Sequence, residues 1–147
     1  MNTVHPDTVS FLMIAEDSAA DLSLIRMALE RYGIAMELHV VKDGEAATRF
    51  VEDVEADSRA PCPALAVLDL NLPRISGQQL LRRIRSSDKW RNVPVIVFSS
   101  SLSLRDRADA LSLGATAYFS KPLDLEQFLG LGALIKDALV TCRHEVR

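Results

Sequence analysis

The chain contains five short apolar runs that are nearly continuous instead of alternating with polar residues. These runs are Ser10–Ala15, Glu37–Val41, Ala64–Leu68, Val95–Phe98 and Ala115–Phe119. Runs of this length are typical of strands in a parallel sheet, because helices cover both faces of such a sheet. They predict five parallel strands, and this constraint narrows the possible folds more than any other feature of the chain.

Segments with helical periodicity lie between the runs. The first contains Leu22, Ile25, Leu29 and Tyr32, and Gly33 is placed to end it. Three more are marked by Ala47, Phe50, Val51 and Val54, by Leu80, Leu81 and Ile84, and by Leu104, Ala108 and Leu111 before Gly114. Strands alternating with helices through short loops predict right-handed crossovers and an α/β fold. The rhythm suits a flavodoxin-like, doubly wound (βα)5 arrangement with strand order 2-1-3-4-5.

The last periodic segment, from about Asp124 to Val140, is more apolar than docking on a sheet requires. Its apolar residues surround much of the helix, namely Leu125, Phe128, Leu129, Leu131, Leu134, Ile135, Ala138 and Leu139. Two interpretations stay open. The helix is either thickly packed with a few exposed leucines, or its face forms a homodimer.

Length and composition predict one domain over residues 1–147, with a core of about 10–140 and no output domain. Apolar residues make up 48% and charged residues 25%, as in ordinary globular proteins, which argues against disorder. The net charge of -3 argues against a nucleic-acid partner. The start lacks a basic secretory signal, and no apolar stretch approaches the roughly 20 residues that span a bilayer. We therefore expect a cytoplasmic protein with no membrane partner.

Two residue types with possible special roles have ordinary explanations. Cys62 and Cys142 lie far apart without metal-ligand spacing, which favours two reduced thiols over a disulfide or a metal site. Trp90 is expected to pack on the loop between the third helix and the fourth strand, with partner binding as the alternative.

The residues that follow the strands form the candidate site, because doubly wound sheets bind ligands outside the carboxyl ends of their strands. Glu16 and Asp17 follow the first strand, and Asp69 follows the third. Ser99 follows the fourth strand, and Lys121 follows the fifth. The sequence therefore predicts three carboxylates, one hydroxyl and one ammonium at a single edge of the sheet.

Such a cluster suits phosphoryl transfer. At about 4–5 Å and an effective dielectric near 20, each pair of carboxylates repels by roughly 3–4 kcal/mol. A proton or a cation must relieve this repulsion, and hard oxygen ligands with room for water and phosphate favour Mg²⁺. The Asp69 carboxylate is the natural acceptor, since it can attack phosphorus to give an acyl phosphate. Ser99 and Lys121 would bind the phosphoryl oxygens.

From about Ser10 to Val140 the chain resembles response-regulator receiver domains, the family that includes the bacterial chemotaxis regulator. The resemblance implies that Glu16 and Asp17 bind Mg²⁺ and that Asp69 is phosphorylated. Asn71 matches the position whose backbone carbonyl completes the metal shell. Glu16 stands where many members have Asp, which still allows a contact with the metal through water.

The resemblance also extends to the switch residues. Ser99 matches the family's switch Ser/Thr and Tyr118 its switch aromatic, with plain core packing as the alternative for Tyr118. Lys121–Pro122 matches a pair whose peptide bond is usually cis. Asn71 and Ser101 match positions that influence the rate of dephosphorylation, with ordinary loop polarity as the alternative.

What the resemblance implies is a stand-alone regulator and not a conventional enzyme. A histidine kinase presents phosphohistidine to Asp69, and the receiver catalyses the transfer and its own slow dephosphorylation. Ser99 then moves toward the phosphoryl group and Tyr118 turns into the vacated space, a two-state population shift. The signal leaves by protein contact or by onward phosphotransfer. The stretches DLNLP and IRSSDKWRNVPVIVFSS look most like phytochrome-associated regulators, which implies a bacteriophytochrome kinase. The alternative is a kinase that senses another signal.

Rival functions fit the residues less well. A haloacid-dehalogenase-type phosphatase requires a second acid where this chain has Asn71, and a flavodoxin requires a hydroxyl-rich phosphate loop where Glu16 and Asp17 stand. No P-loop is present. The three histidines are scattered, which argues against a histidine phosphotransfer domain: His5, His39 and His144. A receiver that folds without being phosphorylated is excluded only in part.

Overall fold

One parallel sheet with helices on both faces makes up the fold in the computed structural model, which describes residues 10–145. The strands are β1 Phe11–Ala15, β2 Glu37–Val41, β3 Leu65–Asp69, β4 Val95–Ser99 and β5 Ala117–Ser120. The helices are α1 Ala19–Arg31, α2 Gly44–Ala56, α3 Gly77–Arg85, α4 Leu104–Ser112, α5 Leu125–Leu129 and α6 Leu131–Glu145. The sheet order is β2-β1-β3-β4-β5 with all pairs parallel, so the predicted flavodoxin-like fold is confirmed.

The two faces of the sheet carry separate apolar clusters. One cluster packs β1, β3 and β4 against α1, α5 and α6, and the other packs the opposite face against α2 and α3. The central strands β3 and β4 are buried along their whole length, as predicted. In β2, however, Glu37 and His39 are exposed, so the prediction of continuous burial is wrong there. An edge strand has a neighbour on one side only, which leaves part of it in water.

Side-chain caps fix where the helices begin. A side-chain oxygen accepts a backbone N–H of the first turn at each start of α1 to α5, from Ser18, Asp43, Ser76, Ser103 and Asp124 respectively. Such a cap typically contributes about 1 kcal/mol. Because every one of these helices follows a strand, the caps also position the loops at the carboxyl edge of the sheet.

The final helical segment is divided at Gly130, whereas the sequence predicted one helix. Glycine is among the poorest helix formers, and the Gly130 N–H bonds the Gln127 carbonyl three residues back, at 3.1 Å. Most of the apolar surplus is accounted for by packing, since four residues are buried, namely Phe128, Leu129, Leu131 and Ile135. Leu125 remains 47% exposed. None of the described helices is both long and apolar enough to cross a membrane.

Trp90 is fully buried, which confirms the packing interpretation. Its ring meets Phe50 edge to face, with 5.9 Å between the ring centroids. Next to it, the Lys89 ammonium donates to the carbonyls of Val54 and Asp57, each at 2.8 Å, and so fastens the loop after α2. Cys62 is a free thiol. The side chains of Cys142 and His144, and the whole of His5, lie outside the part that the structure describes.

Gly77, the first residue of α3, generates a prediction about its packing against the end of β3. A methyl group there would lie 2.5 Å from the Asp69 carbonyl oxygen and 2.7 Å from the Leu70 Cα. We expect Gly77→Ala to lower the free energy of unfolding by about 1–3 kcal/mol through overpacking. Urea denaturation measures the change. Gln78→Ala, one residue further along α3, should stay within about 0.5 kcal/mol of the wild type. Equal stability of the two variants would contradict this account.

Candidate functional site

The acidic residues predicted from the sequence meet at the carboxyl edge of the sheet. Asp69 ends β3, and Glu16 and Asp17 follow β1, the neighbouring strand. One carboxylate oxygen from each of these three residues lies within 4.8 Å of the other two. Glu16 and Asp69 are buried while Asp17 is exposed, so the cluster opens to solvent on one side. The proximity is as predicted; the roles of the residues stay predictions.

Lys121 enters this cluster from the loop after β5. Its Nζ lies 3.0 Å from Asp69 Oδ2 and 3.1 Å from Glu16 Oε1. The same Nζ lies 2.8 Å from Asp21 Oδ2 and 4.5 Å from the centroid of the Phe98 ring. The Lys121 ammonium thus hydrogen-bonds to three carboxylates at once, those of Glu16, Asp21 and Asp69.

Asp21 is a site residue that the sequence reasoning missed. It lies in the first turn of α1, four residues after Asp17. An acid one helical turn beyond the acidic pair is the signal that could have located it. That spacing alone does not reveal a contact with Lys121, which lies 100 residues away in the sequence.

Burial shifts the pKa values of Glu16 and Lys121, and hydrogen bonds from their neighbours act against it. Burial raises the pKa of Glu16 to about 7, even though the Ser18 N–H and Lys121 act to lower it. Burial also lowers the pKa of Lys121, but its hydrogen bonds to Asp21 and Asp69 outweigh burial and leave that pKa above its ordinary value. Lys121 is therefore a permanent ammonium at neutral pH, and Glu16 is poised to take up a proton.

The donor set fits a hard divalent cation. Carboxylate oxygens of Glu16, Asp17 and Asp69 converge, and three carboxylates carry more negative charge than one ammonium can balance. Mg²⁺ prefers such oxygen ligands and keeps several waters, for which the exposed side of the cluster leaves access. The backbone N–H of Asn71 donates to Asp69 Oδ1 at 2.9 Å and so orients the Asp69 carboxylate. Metal binding by the Asn71 carbonyl stays a prediction.

The two predicted switch residues are joined through a third. Ser99 Oγ is buried and accepts the Ser101 N–H at 3.0 Å. The Tyr118 hydroxyl donates to the carbonyl of the same Ser101 at 3.2 Å, and the Tyr118 ring is largely buried. Ser101 Oγ in turn donates to Asp106 Oδ2 at 2.6 Å. Tyr118 is thus both packed and hydrogen-bonded, and Ser101 connects it to Ser99.

The peptide bond between Lys121 and Pro122 departs from the family resemblance. It was expected to be cis, but there is no cis peptide bond among the described residues, so that expectation is wrong. The trans form is the lower in energy for X–Pro bonds, by about 0.5–1 kcal/mol. With this trans bond, the Lys121 N–H donates to the Ser99 carbonyl at 2.7 Å and the ammonium reaches the carboxylates.

The comparisons with known proteins agree with this arrangement. The model of the response regulator receiver domain matches residues 12–131. The probable methanogenesis regulatory protein FilR2 of Methanothrix harundinacea is 34% identical over 115 residues, covering 78% of this chain and 74% of FilR2. The response regulator Rcp1 of Synechocystis is 31% identical over 115 residues, covering 78% of each chain.

Two solved structures are similar in both fold and sequence. The Mn²⁺-bound form of Rcp1 superposes with a TM-score of 0.76 at 29% identity, covering 87% of this chain and 92% of Rcp1. The phosphorylated cyanobacterial phytochrome response regulator RcpA superposes with a TM-score of 0.79 at 28% identity, covering 90% of this chain and 95% of RcpA.

The raised pKa of Glu16 generates a prediction for the metal-free protein. Its pKa is about 7 in the folded chain against an ordinary value of 4.5, so between these values the folded state binds more protons than the unfolded state. The free energy of unfolding should therefore fall as the pH rises from about 4.5 to about 7. Urea denaturation across this range in the presence of a chelator measures the slope.

Two variants isolate the contribution of Glu16. Glu16→Gln should flatten the slope relative to the wild type, because the titrating carboxyl is gone. Glu45→Gln, an exposed acid in the first turn of α2, should keep the wild-type slope. A wild-type slope in Glu16→Gln would exclude Glu16 as its source.

Proposed function

The chain belongs to the response regulator receiver family, and on that premise we propose that Asp69 accepts a phosphoryl group from the phosphohistidine of a sensor histidine kinase. The observation that carries this proposal is the convergence of Lys121 and a carboxylate cluster on Asp69. Lys121 Nζ lies 3.0 Å from Asp69 Oδ2, and the Glu16 and Asp17 carboxylates lie beside the same acceptor.

In the transfer, an oxygen of Asp69 attacks phosphorus while the bond from phosphorus to the histidine nitrogen breaks and leaves its electron pair on nitrogen. Asn71 holds one oxygen of Asp69 through its N–H, which leaves the oxygen facing Lys121 beside the incoming group. Lys121 and the Ser99 hydroxyl stabilise charge on the phosphoryl oxygens. Mg²⁺ held by Glu16, Asp17 and Asp69 would supply further neutralisation there. Slow hydrolysis of the acyl phosphate would end the signal.

We propose that the response passes through Ser101. To donate to the phosphoryl group, Ser99 must reorient, and this disturbs the bond that its Oγ accepts from the Ser101 N–H. Because Ser101 also accepts from Tyr118, the same movement releases the Tyr118 hydroxyl. The two arrangements form a two-state equilibrium that phosphorylation biases. The signal would then leave by protein contact or by onward phosphotransfer, with no nucleic-acid or membrane partner.

Exposed leucines support a protein partner at this edge. Leu102 and Leu123 are 83% and 107% exposed, in the loops after β4 and β5. A protein that brings phosphohistidine to Asp69 must pass these loops, so its contact would cover both side chains. RcpA, described as a phytochrome response regulator, supports a bacteriophytochrome as the kinase. FilR2, described as a probable methanogenesis regulator, supports the alternative of a kinase with another input. We place this exchange in the cytoplasm, with residues 1–147 acting as one receiver domain.

The acceptor assignment predicts the outcome of a labelling experiment. When the chain is mixed with a histidine kinase carrying radioactive phosphohistidine, label should move to the wild type and should not move to Asp69→Asn. The reason is that an amide oxygen does not form the acyl phosphate. Asp53→Asn is the matched control, since Asp53 is an exposed acid in α2. Label on Asp69→Asn at the wild-type rate would overturn the assignment.

Homodimerisation through the face of α5 and α6 stays a prediction with a weaker basis than the sequence suggested. Packing within the chain covers most of the apolar residues, and Leu125 and Val140 are the exposed remainder among the described side chains, at 47% and 48%. If this face associates, light scattering should give twice the monomer mass with a beryllium fluoride mimic, and Leu125→Glu should restore the monomer. A monomer mass for the wild type both with and without the mimic would rule out the homodimer.

A further inference from the structure

In this structure Lys121 contacts two of the three carboxylates that a divalent cation would need. These two are Glu16 and Asp69, and Asp17 is the third member of the oxygen cluster. Two cations that share the same carboxylates compete for them and repel each other. A divalent ion bound to Glu16 and Asp69 would draw their charge away from Lys121, which would then depend on another anionic partner nearby.

Asp21 is placed to be that partner. Its Oδ2 makes the shortest of the three Lys121 contacts, at 2.8 Å, compared with 3.0 Å for Asp69 and 3.1 Å for Glu16. Among the described residues, the cluster that could hold a metal contains Glu16, Asp17 and Asp69 but not Asp21. Asp21 therefore remains available to the ammonium when the other two carboxylates bind a metal.

The position of Asp21 is fixed by the helix that carries it. Its backbone N–H donates to the side chain of Ser18, which caps α1, at 3.2 Å. The first turn of a helix also favours an anionic side chain, because unpaired N–H groups give that end a partial positive charge. Both side chains of the pair are mostly covered, with 14% of Lys121 and 23% of Asp21 exposed. Their attraction is consequently screened less than that of a surface pair.

From these contacts we infer that Asp21 is a positioning residue, which holds the Lys121 ammonium when Glu16 and Asp69 bind a divalent cation and so raises the affinity of the site for that cation. The inference rests on the proposed function, since it concerns how the same site admits Mg²⁺. Asp21 acts through Lys121 and does not touch the metal or the phosphoryl group.

A double-mutant cycle on the full chain separates this role from a general effect of charge. Calorimetric titration with Mg²⁺ alone measures affinity in the wild type, Asp21→Asn, Lys121→Gln and the double variant. Asp21→Asn should weaken binding about fivefold, the size of an ordinary coupling between contacting side chains. In the Lys121→Gln background, Asp21→Asn should weaken Mg²⁺ binding by less than about twofold, because there is no ammonium for Asp21 to hold. An equal loss in both backgrounds would overturn the inference, since Asp21 would then act by its charge alone.

Two more variants sharpen the result. Asp21→Glu keeps the carboxylate and should recover part of the lost affinity, whereas a purely conformational role of Asp21 would give no recovery and would count against the inference. Glu45→Gln is the control, since Glu45 is an exposed acid in the first turn of another helix, α2. This variant should bind Mg²⁺ like the wild type. A wild type that binds no Mg²⁺ would contradict the proposed function itself, which distinguishes that failure from a failure of the Asp21 assignment.

A second measurement does not depend on the folding of a Lys121 variant. Under saturating Mg²⁺, an amine-acylating reagent followed by peptide mass spectrometry reports how freely each lysine reacts. Lys121 should react about fivefold faster in Asp21→Asn than in the wild type, because its ammonium has lost its remaining partner. The other lysines, such as Lys89, should react at unchanged rates. Equal rates for Lys121 in the two proteins would overturn the inference.

Discussion

Electrostatic repulsion at one edge of a parallel sheet is the constraint on which the rest of this molecule depends. The strand order places Glu16, Asp17 and Asp69 side by side, and burial of two of them prevents water from screening the repulsion. Lys121 balances part of this charge, while burial raises the pKa of Glu16 to about 7. A site with excess negative charge and one fixed ammonium is suited to recruiting a cation first and a phosphoryl group afterwards.

The charged half and the hydroxyl half of the site are joined by short connections after β4 and β5. The Lys121 N–H binds the Ser99 carbonyl, while Ser99 and Tyr118 both bind Ser101. Three successive hydrogen bonds therefore connect Lys121 to Tyr118, which is largely buried in β5. Under the proposed function, the response runs through the ends of β4 and β5 and through the loop that carries Ser101, and loops are among the least stable parts of a fold.

The sequence predicted those features that depend on burial and on strand ends. The apolar runs located β1, β3 and β4 because central strands are covered on both faces, and the polar residues after them located Glu16, Asp69 and Ser99. Features that depend on tertiary contacts were missed or mistaken. The contact of Asp21 with Lys121 joins segments that are distant in the sequence. The exposure of β2 follows from its place at the sheet edge, and the trans bond before Pro122 differs from the cis form that is usual in the family.

The absence of a side chain at Gly77 has a consequence for how the two proteins of a transfer must meet. The backbone of Asp69 is in close contact with the start of α3, and it is held by the Gly77 N–H bonding to Leu70 at 3.1 Å. Asp69 is therefore carried by a main chain that is closely packed and has little room to move. Under the proposed function, the adjustment that aligns donor and acceptor would fall on the incoming protein, with the receiver as the rigid template and the kinase as the adaptable member of the encounter.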